Sequence, residues 1–135
     1  MLNEIEIIQM AARVDQRGSC YAIPQAGIDF LDGIVADTHL AEILPGFVRG
    51  NHWHNNRWEV IMVHCEDCCR FAWANSPEGE CQVREFAAGD SVAILLPPFT
   101  PHAIHNTGSK PLWTTSMSNS KYDGHTQDTF AVELL

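Results

Sequence analysis

Two histidines and a glutamate in residues 46–59 are the side chains of this sequence best suited to chemistry. His52 and His54 are separated by one residue, so on an extended strand both imidazoles project from the same face. Glu59 follows the short polar turn 55–57 and can return on the next strand to the same point. Two imidazoles and a carboxylate are three of the four ligands of a typical site for Zn, Fe, Mn or Ni.

Glu59 begins a strand face that is expected to point into the interior. The alternate residues after it form an apolar row, which consists of Ile61, Val63 and Cys65. A buried carboxylate without a partner is costly, so Glu59 needs a cation or hydrogen-bond donors. Strict alternation also places four residues of the preceding strand on one inward face, namely Val48, Gly50, His52 and His54.

A third imidazole for this cluster comes from residues 97–106. His102 shares a strand face with Ile104 and Asn106. The segment therefore offers a third imidazole for such a site. The remaining histidines expected at the surface or in hydrogen bonds, rather than as ligands, are His39, His105 and His125.

The elements that must position these residues are those of an all-β domain. Short apolar or alternating runs are separated by clusters of Gly, Pro, Asn and Asp, and helical periodicity is nearly absent. Strands are predicted at residues 4–9, 19–23, 38–44, 47–54, 58–65, 68–74, 80–86, 91–96, 102–106 and 112–118. The tail after Tyr122 gives no clear pattern.

Composition indicates one domain spanning residues 1–135. With 45% hydrophobic residues, a chain of 135 residues can bury a core without disulfides. Its 8 Lys and Arg residues against 17 Asp and Glu give a net charge of −9, which argues against nucleic-acid binding. No signal-peptide pattern is present at the N-terminus, and no stretch approaches the roughly 18 apolar residues of a membrane span. We therefore expect no membrane contact.

The cysteines indicate a reducing compartment. Their number, 5, is odd, which fits a cytoplasmic protein better than a disulfide framework. Cys65, Cys68 and Cys69 resemble half of a thiolate zinc site, but no second pair of cysteines or histidines follows them. Buried free thiols are the expected state of this group.

The spacing of these residues resembles the first sequence motif of cupins. That motif is Gly, five residues, His-x-His, three or four residues, Glu, six residues and Gly. Four residues match it, namely Gly46, His52, His54 and Glu59, whereas Glu66 stands where the last glycine is expected.

The second cupin motif is matched more loosely. It reads Gly, five residues, Pro-x-Gly, two residues, His, three residues and Asn. Gly89, Pro97, His102 and Asn106 follow it in order, but the first gap is two residues longer and Phe99 replaces the second glycine. These departures fall at turns and concern loop shape rather than the site.

The cupin resemblance implies a fold and a ligand set. The fold is a single-domain, RmlC-like double-stranded β-helix, a jelly-roll barrel open at one end, with its core motifs at about 38–118. Cupins commonly hold one divalent metal ion, here Zn, Fe, Ni or Mn, with ligands that would be His52, His54, Glu59 and His102. Cupins are also commonly homodimers. The apolar outer face of the strand at 58–65, formed by Val60, Met62 and His64, is expected to pair across such a dimer.

A narrower resemblance concerns sugar chemistry. Residues 49–54 look like the Arg-Gly-Asn-His-aromatic-His of C-terminal cupin domains in capsular-polysaccharide synthesis enzymes, which act on nucleotide-linked sugars. Residues 15–18 look like the Asp-x-Arg-Gly of nucleotide-sugar 3,5-epimerases and 3,4-ketoisomerases. By position, Arg17 and Arg49 would contact nucleotide phosphates or the sugar. Trp53 would either stack on a substrate ring or pack against another protein surface.

These resemblances leave three functions open. The first is a metal-dependent enzyme acting on a small molecule, with a nucleotide-linked or keto sugar as the leading substrate and an isomerase or epimerase reaction. Because such epimerases and ketoisomerases work without metal, His52 and His54 would be the catalytic acid/base pair of a metal-free site. The second is an Fe(II)-dependent dioxygenase. The third is a non-catalytic module that binds a small ligand.

Overall fold

The computed structural model describes residues 4–120 and 127–135. Its elements in chain order are β1 (Glu6–Gln9), β2 (Ala12–Asp15), β3 (Gly18–Tyr21), α1 (Gln25–Phe30), β4 (Asp37–Ile43), β5 (Val48–His54), β6 (Glu59–His64), β7 (Cys69–Trp73), β8 (Gln82–Phe86), β9 (Ser91–Leu96), β10 (His102–His105), β11 (Leu112–Ser118) and β12 (Thr129–Ala131).

Two antiparallel five-stranded sheets form the domain, with strand orders β1-β9-β6-β11-β4 and β12-β5-β10-β7-β8. Apolar side chains from both sheets meet in one core, in which Ile61 and Ile94 of the first sheet pack with Phe71 and Ile104 of the second. The strands β2 and β3 form a separate two-stranded ribbon. The predicted all-β jelly roll is confirmed.

Each predicted strand exists, with ends that differ by no more than two residues. Three short elements were not predicted. Helix α1 has six residues, too few for a helical pattern of apolar positions, and all four residues of β2 are exposed. Strand β12 is three residues long and pairs with the edge of β5. His125 lies outside the described residues.

The chain itself covers part of the outer face of β6, which corrects the predicted place of Val60 in a dimer interface, whereas His64 is exposed. Val60 is fully buried, and Met62 packs against the same cluster. The buried members of this cluster are Met10, Leu31, Val60, Ala93 and Leu95. Phe30 at the end of α1 closes the cluster together with Trp58, since their rings lie 5.1 Å apart. The homodimer itself stays a prediction.

Cys65 and Cys69 are buried at the hairpin between β6 and β7, and the expected free thiols are observed there. Cys68 between them is partly buried and also free. Within residues 4–120 and 127–135, no helix has the length and apolar character that crossing a bilayer requires.

Candidate metal centre

Three strands carry the predicted ligands to one place between the sheets. His52 and His54 lie on β5, and His102 begins the neighbouring strand β10, directly opposite His52 in the register. Glu59 begins β6 and reaches the same place from the facing sheet. His54, Glu59 and His102 are buried, and His52 is half-buried. The two-residue alternation of strands therefore positions the group as expected.

The three imidazoles approach one another closely, and Glu59 approaches one of them. One ligand nitrogen from each histidine lies within 4.8 Å of the corresponding nitrogens of the other two. Oε1 of Glu59 lies 3.5 Å from Nε2 of His102. The structure thus groups the three imidazoles and places Glu59 against one of them, while the service of all four as metal ligands stays a prediction.

Backbone carbonyls orient two of the imidazoles. Nδ1 of His102 lies 2.9 Å from the carbonyl oxygen of Thr100, and Nδ1 of His54 lies 3.2 Å from that of Asp128. A carbonyl oxygen only accepts hydrogen bonds, so each contact favours a proton on Nδ1. Each Nε2 then keeps a free lone pair, which is the state that binds a metal or accepts a proton.

Burial keeps the imidazoles neutral. It lowers the pKa of His52 to about 4, that of His54 to about 3 and that of His102 to about 4. Burial also raises the pKa of Glu59 to about 7, because its carboxylate has lost most of its water. Three neutral imidazoles and a poorly solvated carboxylate are a donor set that fits a divalent cation, which would compensate the buried negative charge.

A β-bulge turns Arg49 towards the same cavity. His52 pairs with His102, but the next pair is Gly50 with Ala103, so Asn51 is an extra residue in β5. Arg49 consequently pairs with Ile104 and shares its face, which lines the cavity. Strict alternation had placed Val48 on the inward face instead. That expectation is wrong, because the bulge shifts the phase by one residue.

The bulge requires glycine at position 50. Gly50 has φ +96°, and a Cβ there would lie 2.8 Å from the carbonyl oxygen of His102. Asn51, with φ +53°, uses its side chain to hold the C-terminus. Its Oδ1 accepts hydrogen bonds from the backbone N–H groups of Leu134 and Leu135 at 3.0 and 3.2 Å. The bulge and the chain end therefore support each other beside the histidines.

The cluster opens into a cavity of about 230 Å³ between the sheets. His52, Glu59 and His102 form one part of its wall, and Arg49 lies on its exposed side. Nε of Arg49 donates a hydrogen bond of 2.7 Å to the carbonyl oxygen of Glu42, which fixes the side chain and leaves its terminal N–H groups for a ligand. The volume suits a small molecule.

Two of the predicted substrate-binding residues lie elsewhere. Arg17 is at the turn between β2 and β3, where its side chain is 85% exposed and its Nη2 lies 2.6 Å from Oδ2 of Asp15. Trp53 does not line the cavity, and its indole stacks on Phe130 at 4.4 Å. Of the three predicted contacts, only Arg49 reaches the cavity in this chain.

His39, expected at the surface or in hydrogen bonds rather than as a ligand, is exposed and also lines the cavity. It lies on β4, and the alternate residues Ala41 and Ile43 line the cavity with it. Its side chain is 51% exposed, which agrees with the expected place at the surface. The alternation of His39 with Ala41 and Ile43 was the available signal. The carbonyl groups that orient His54 and His102 leave no signal in the sequence.

The sequence profile of the polysaccharide biosynthesis C-terminal domain matches residues 13–130. The chain belongs to this family. No curated protein matches the chain. Membership in the polysaccharide biosynthesis C-terminal domain family agrees with the resemblance of residues 49–54 to capsular-polysaccharide synthesis enzymes.

Solved structures share the fold. The capsular polysaccharide assembling protein CapF of Staphylococcus aureus is 22% identical, with 92% of this chain and 34% of that chain covered and a TM-score of 0.63. The sugar 3,4-ketoisomerase QdtA of Thermoanaerobacterium thermosaccharolyticum, in complex with TDP, is 16% identical, with 96% of this chain and 89% of that chain covered and a TM-score of 0.71. A dTDP sugar isomerase of Desulfovibrio desulfuricans is 11% identical, with 96% of this chain and 84% of that chain covered and a TM-score of 0.76. The chain spans about a third of CapF. The cupin fold is thereby confirmed.

Proposed function

We propose that this cupin domain holds one divalent metal ion between His52, His54, Glu59 and His102 and interconverts isomers of a nucleotide-linked keto sugar. One observation supports the metal site most directly. The ligand nitrogens of three imidazoles lie within 4.8 Å of one another, beside a buried carboxylate and a cavity of about 230 Å³.

Similar proteins support the substrate class. QdtA is a sugar 3,4-ketoisomerase, and its structures hold TDP or TDP-4-keto-6-deoxyglucose. CapF takes part in assembling capsular polysaccharide. The cavity of this chain is small enough that it would hold the sugar ring, while the nucleotide would extend past its rim. Arg49 lies at that rim, where its free N–H groups suit a phosphate oxygen.

The chemistry requires a proton-transfer group and stabilisation of negative charge. Hydrogens on the carbons beside a keto group are acidic, and removal of one of them places charge on the carbonyl oxygen. A bound divalent ion would supply positive charge that stabilises this oxygen. Burial of His54, Glu59 and His102 limits water around that charge, which strengthens electrostatic interactions in the site.

Turnover of TDP-4-keto-6-deoxyglucose tests the proposed function. We expect the protein supplied with a divalent ion to convert this compound to an isomer detectable by NMR. Replacement of Arg49 by Ala should raise KM by about tenfold or more, because a charged hydrogen bond to phosphate contributes about 1.5–3 kcal/mol. Arg84→Ala is the matched control, since this arginine lies on β8 against Phe86, outside the cavity lining.

Two outcomes would contradict the proposal. The keto-sugar assignment fails if no isomer forms with Zn, Fe, Ni or Mn. The phosphate role of Arg49 fails if Arg49→Ala and Arg84→Ala leave KM equally unchanged.

A further inference from the structure

His39 lines the cavity without belonging to the proposed ligand set. On β4 it lies opposite Ser116 of β11, which in turn lies opposite Ile61 of β6. Glu59 lies on β6 two residues before Ile61. Because β11 lies between β4 and β6, the backbones of these two strands are separated by two strand spacings of roughly 4.8 Å each. His39 therefore lies two strands away from Glu59 in the same sheet and is not part of the group formed by the three imidazoles.

Asp37 accompanies His39 on the same face of β4. Its Oδ2 lies 3.6 Å from Nδ1 of His39, an ion-pair distance that is longer than a hydrogen bond. A carboxylate on the Nδ1 side favours a proton on Nδ1 and leaves Nε2 with a free lone pair. Such contacts between catalytic groups are often long before substrate binds. The charged or titratable groups that face His39 from the other strands around the cavity are Arg49, His52, Glu59 and His102.

A metal-binding imidazole cannot also act as a base, because its lone pair is donated to the metal. If His52, His54 and His102 serve as ligands, a different group must move the proton. Among the histidines that the structure describes, His39 is the one that lines the cavity outside this set. Half of its side chain is exposed, so a substrate can reach its ring.

We propose that His39 is the residue that transfers the proton in the keto-sugar reaction, an inference that rests on the function proposed above. The C–H bond beside the keto group breaks, and its proton passes to Nε2 of His39. The electron pair of that bond forms a carbon–carbon double bond, and the carbonyl oxygen takes up the negative charge.

The second half of the reaction returns the proton. The hydroxyl on the carbon that lost its proton passes its own proton to the charged oxygen, and a new carbonyl forms at that carbon. His39 then delivers its proton to the former carbonyl carbon. Hydrogen moves within one substrate molecule, so no oxidant or reductant is consumed. Asp37 is a positioning residue, because it orients the ring of His39.

Conversion of TDP-4-keto-6-deoxyglucose by the metal-loaded full chain tests this inference. We expect His39→Asn and His39→Gln to lower kcat by about 100-fold or more, the usual contribution of a general acid or base. Metal content and melting temperature should stay at wild-type values, because His39 is neither a ligand nor a core residue. His105→Asn is the matched control, since His105 lies on the opposite face of β10.

Asp37→Asn gives a second readout. We expect it to lower kcat with KM and metal content unchanged, since it alters the orientation of the base and leaves substrate contacts in place.

The outcomes separate this inference from the function on which it rests. Conversion by both His39 variants at the wild-type rate overturns the role of His39 and leaves the proposed function intact. Loss of metal from both variants also overturns it, because His39 would then support the metal centre. A wild-type protein that converts no keto sugar overturns both the proposed function and the role of His39.

Discussion

At the scale of residues, Glu59 has the environment that most favours a cation. It is 4% exposed, lies against an imidazole whose nitrogen is 3.5 Å away, and has a pKa raised by burial to about 7. Neutral imidazoles compensate little of its charge, so an ionised Glu59 destabilises the metal-free fold. A metal ion would reverse this effect.

Replacement of Glu59 by Gln tests that environment in chelator-treated protein. The folded carboxyl holds its proton up to about pH 7, whereas the unfolded one releases it near its ordinary value of 4.5. Stability is therefore lost as pH rises through this window, and the loss is complete above it. Glu59→Gln should raise the free energy of unfolding by about 3 kcal/mol at pH 8 and leave it nearly unchanged at pH 4.

Urea unfolding at the two pH values measures this difference. Asp29→Asn, in the exposed part of α1, controls for the loss of a surface charge. Equal effects of Glu59→Gln at both pH values would contradict the assigned pKa of the carboxyl.

The residues of the site could be found in the sequence only where spacing decides their position. Alternation alone predicts the shared face of His52 and His54 and the inward direction of Glu59, whereas His102 was added to them by the cupin motifs. Arg17 and Trp53 were assigned from short motifs, and a motif does not say which face of the folded chain a residue occupies. The role proposed for His39 has no counterpart in the sequence analysis, because a single histidine on a strand carries no partner in the sequence that marks it as functional.

At the scale of elements, the bulge in β5 determines which residues enter the cavity. The extra residue Asn51 lets both His52 and Arg49 face inwards. Alternation predicted the strand and its two histidines correctly, yet it placed Arg49 outside. A bulge depends on pairing with β10, which lies some fifty residues later in the chain, so local sequence does not reveal it.

Gly50→Ala tests the bulge, with Gly46→Ala as its control. Both glycines have positive φ, +96° and +86°, but only Gly50 has backbone atoms where the new Cβ would lie, the nearest at 2.8 Å. Both variants bear the cost of a left-handed alanine, about 1–2 kcal/mol. We expect Gly50→Ala to lose a further ~1–3 kcal/mol in urea unfolding, because β5 and β10 must move apart. Equal losses in the two variants would show that the close approach at Gly50 is not needed.

The short elements escaped prediction for a related reason. Helix α1 exists because Phe30 and the following Leu31 pack in the apolar cluster that covers Val60 of β6 and Leu95 of β9. Residues 25–30 do not favour a helix by themselves. Strand β12 forms because the exposed edge of β5 accepts it. Such elements follow from tertiary contacts, which periodicity along the chain does not report.

At the scale of the whole molecule, the two sheets meet at the proposed metal centre. The three histidines belong to one sheet and Glu59 to the other, so a bound ion would connect the layers directly. The architecture itself was predictable, because central strands such as β6, β9 and β11 have an apolar or alternating pattern. The fold does not identify the ligand of the cavity, since one fold hosts many reactions.

The metal content of the purified protein tests the central claim most directly. Elemental analysis of protein without a histidine tag should find about one equivalent of a divalent metal in the wild type. We expect His52→Ala and His102→Ala to lose it, because each removes one of the four donors, and the His105→Ala control to retain it. Iron in the wild type would favour the dioxygenase alternative over the isomerase. No metal in the wild type, even after incubation with Zn, Fe, Ni and Mn, would contradict the metal centre and leave His52 and His54 as the acid/base pair of a metal-free isomerase.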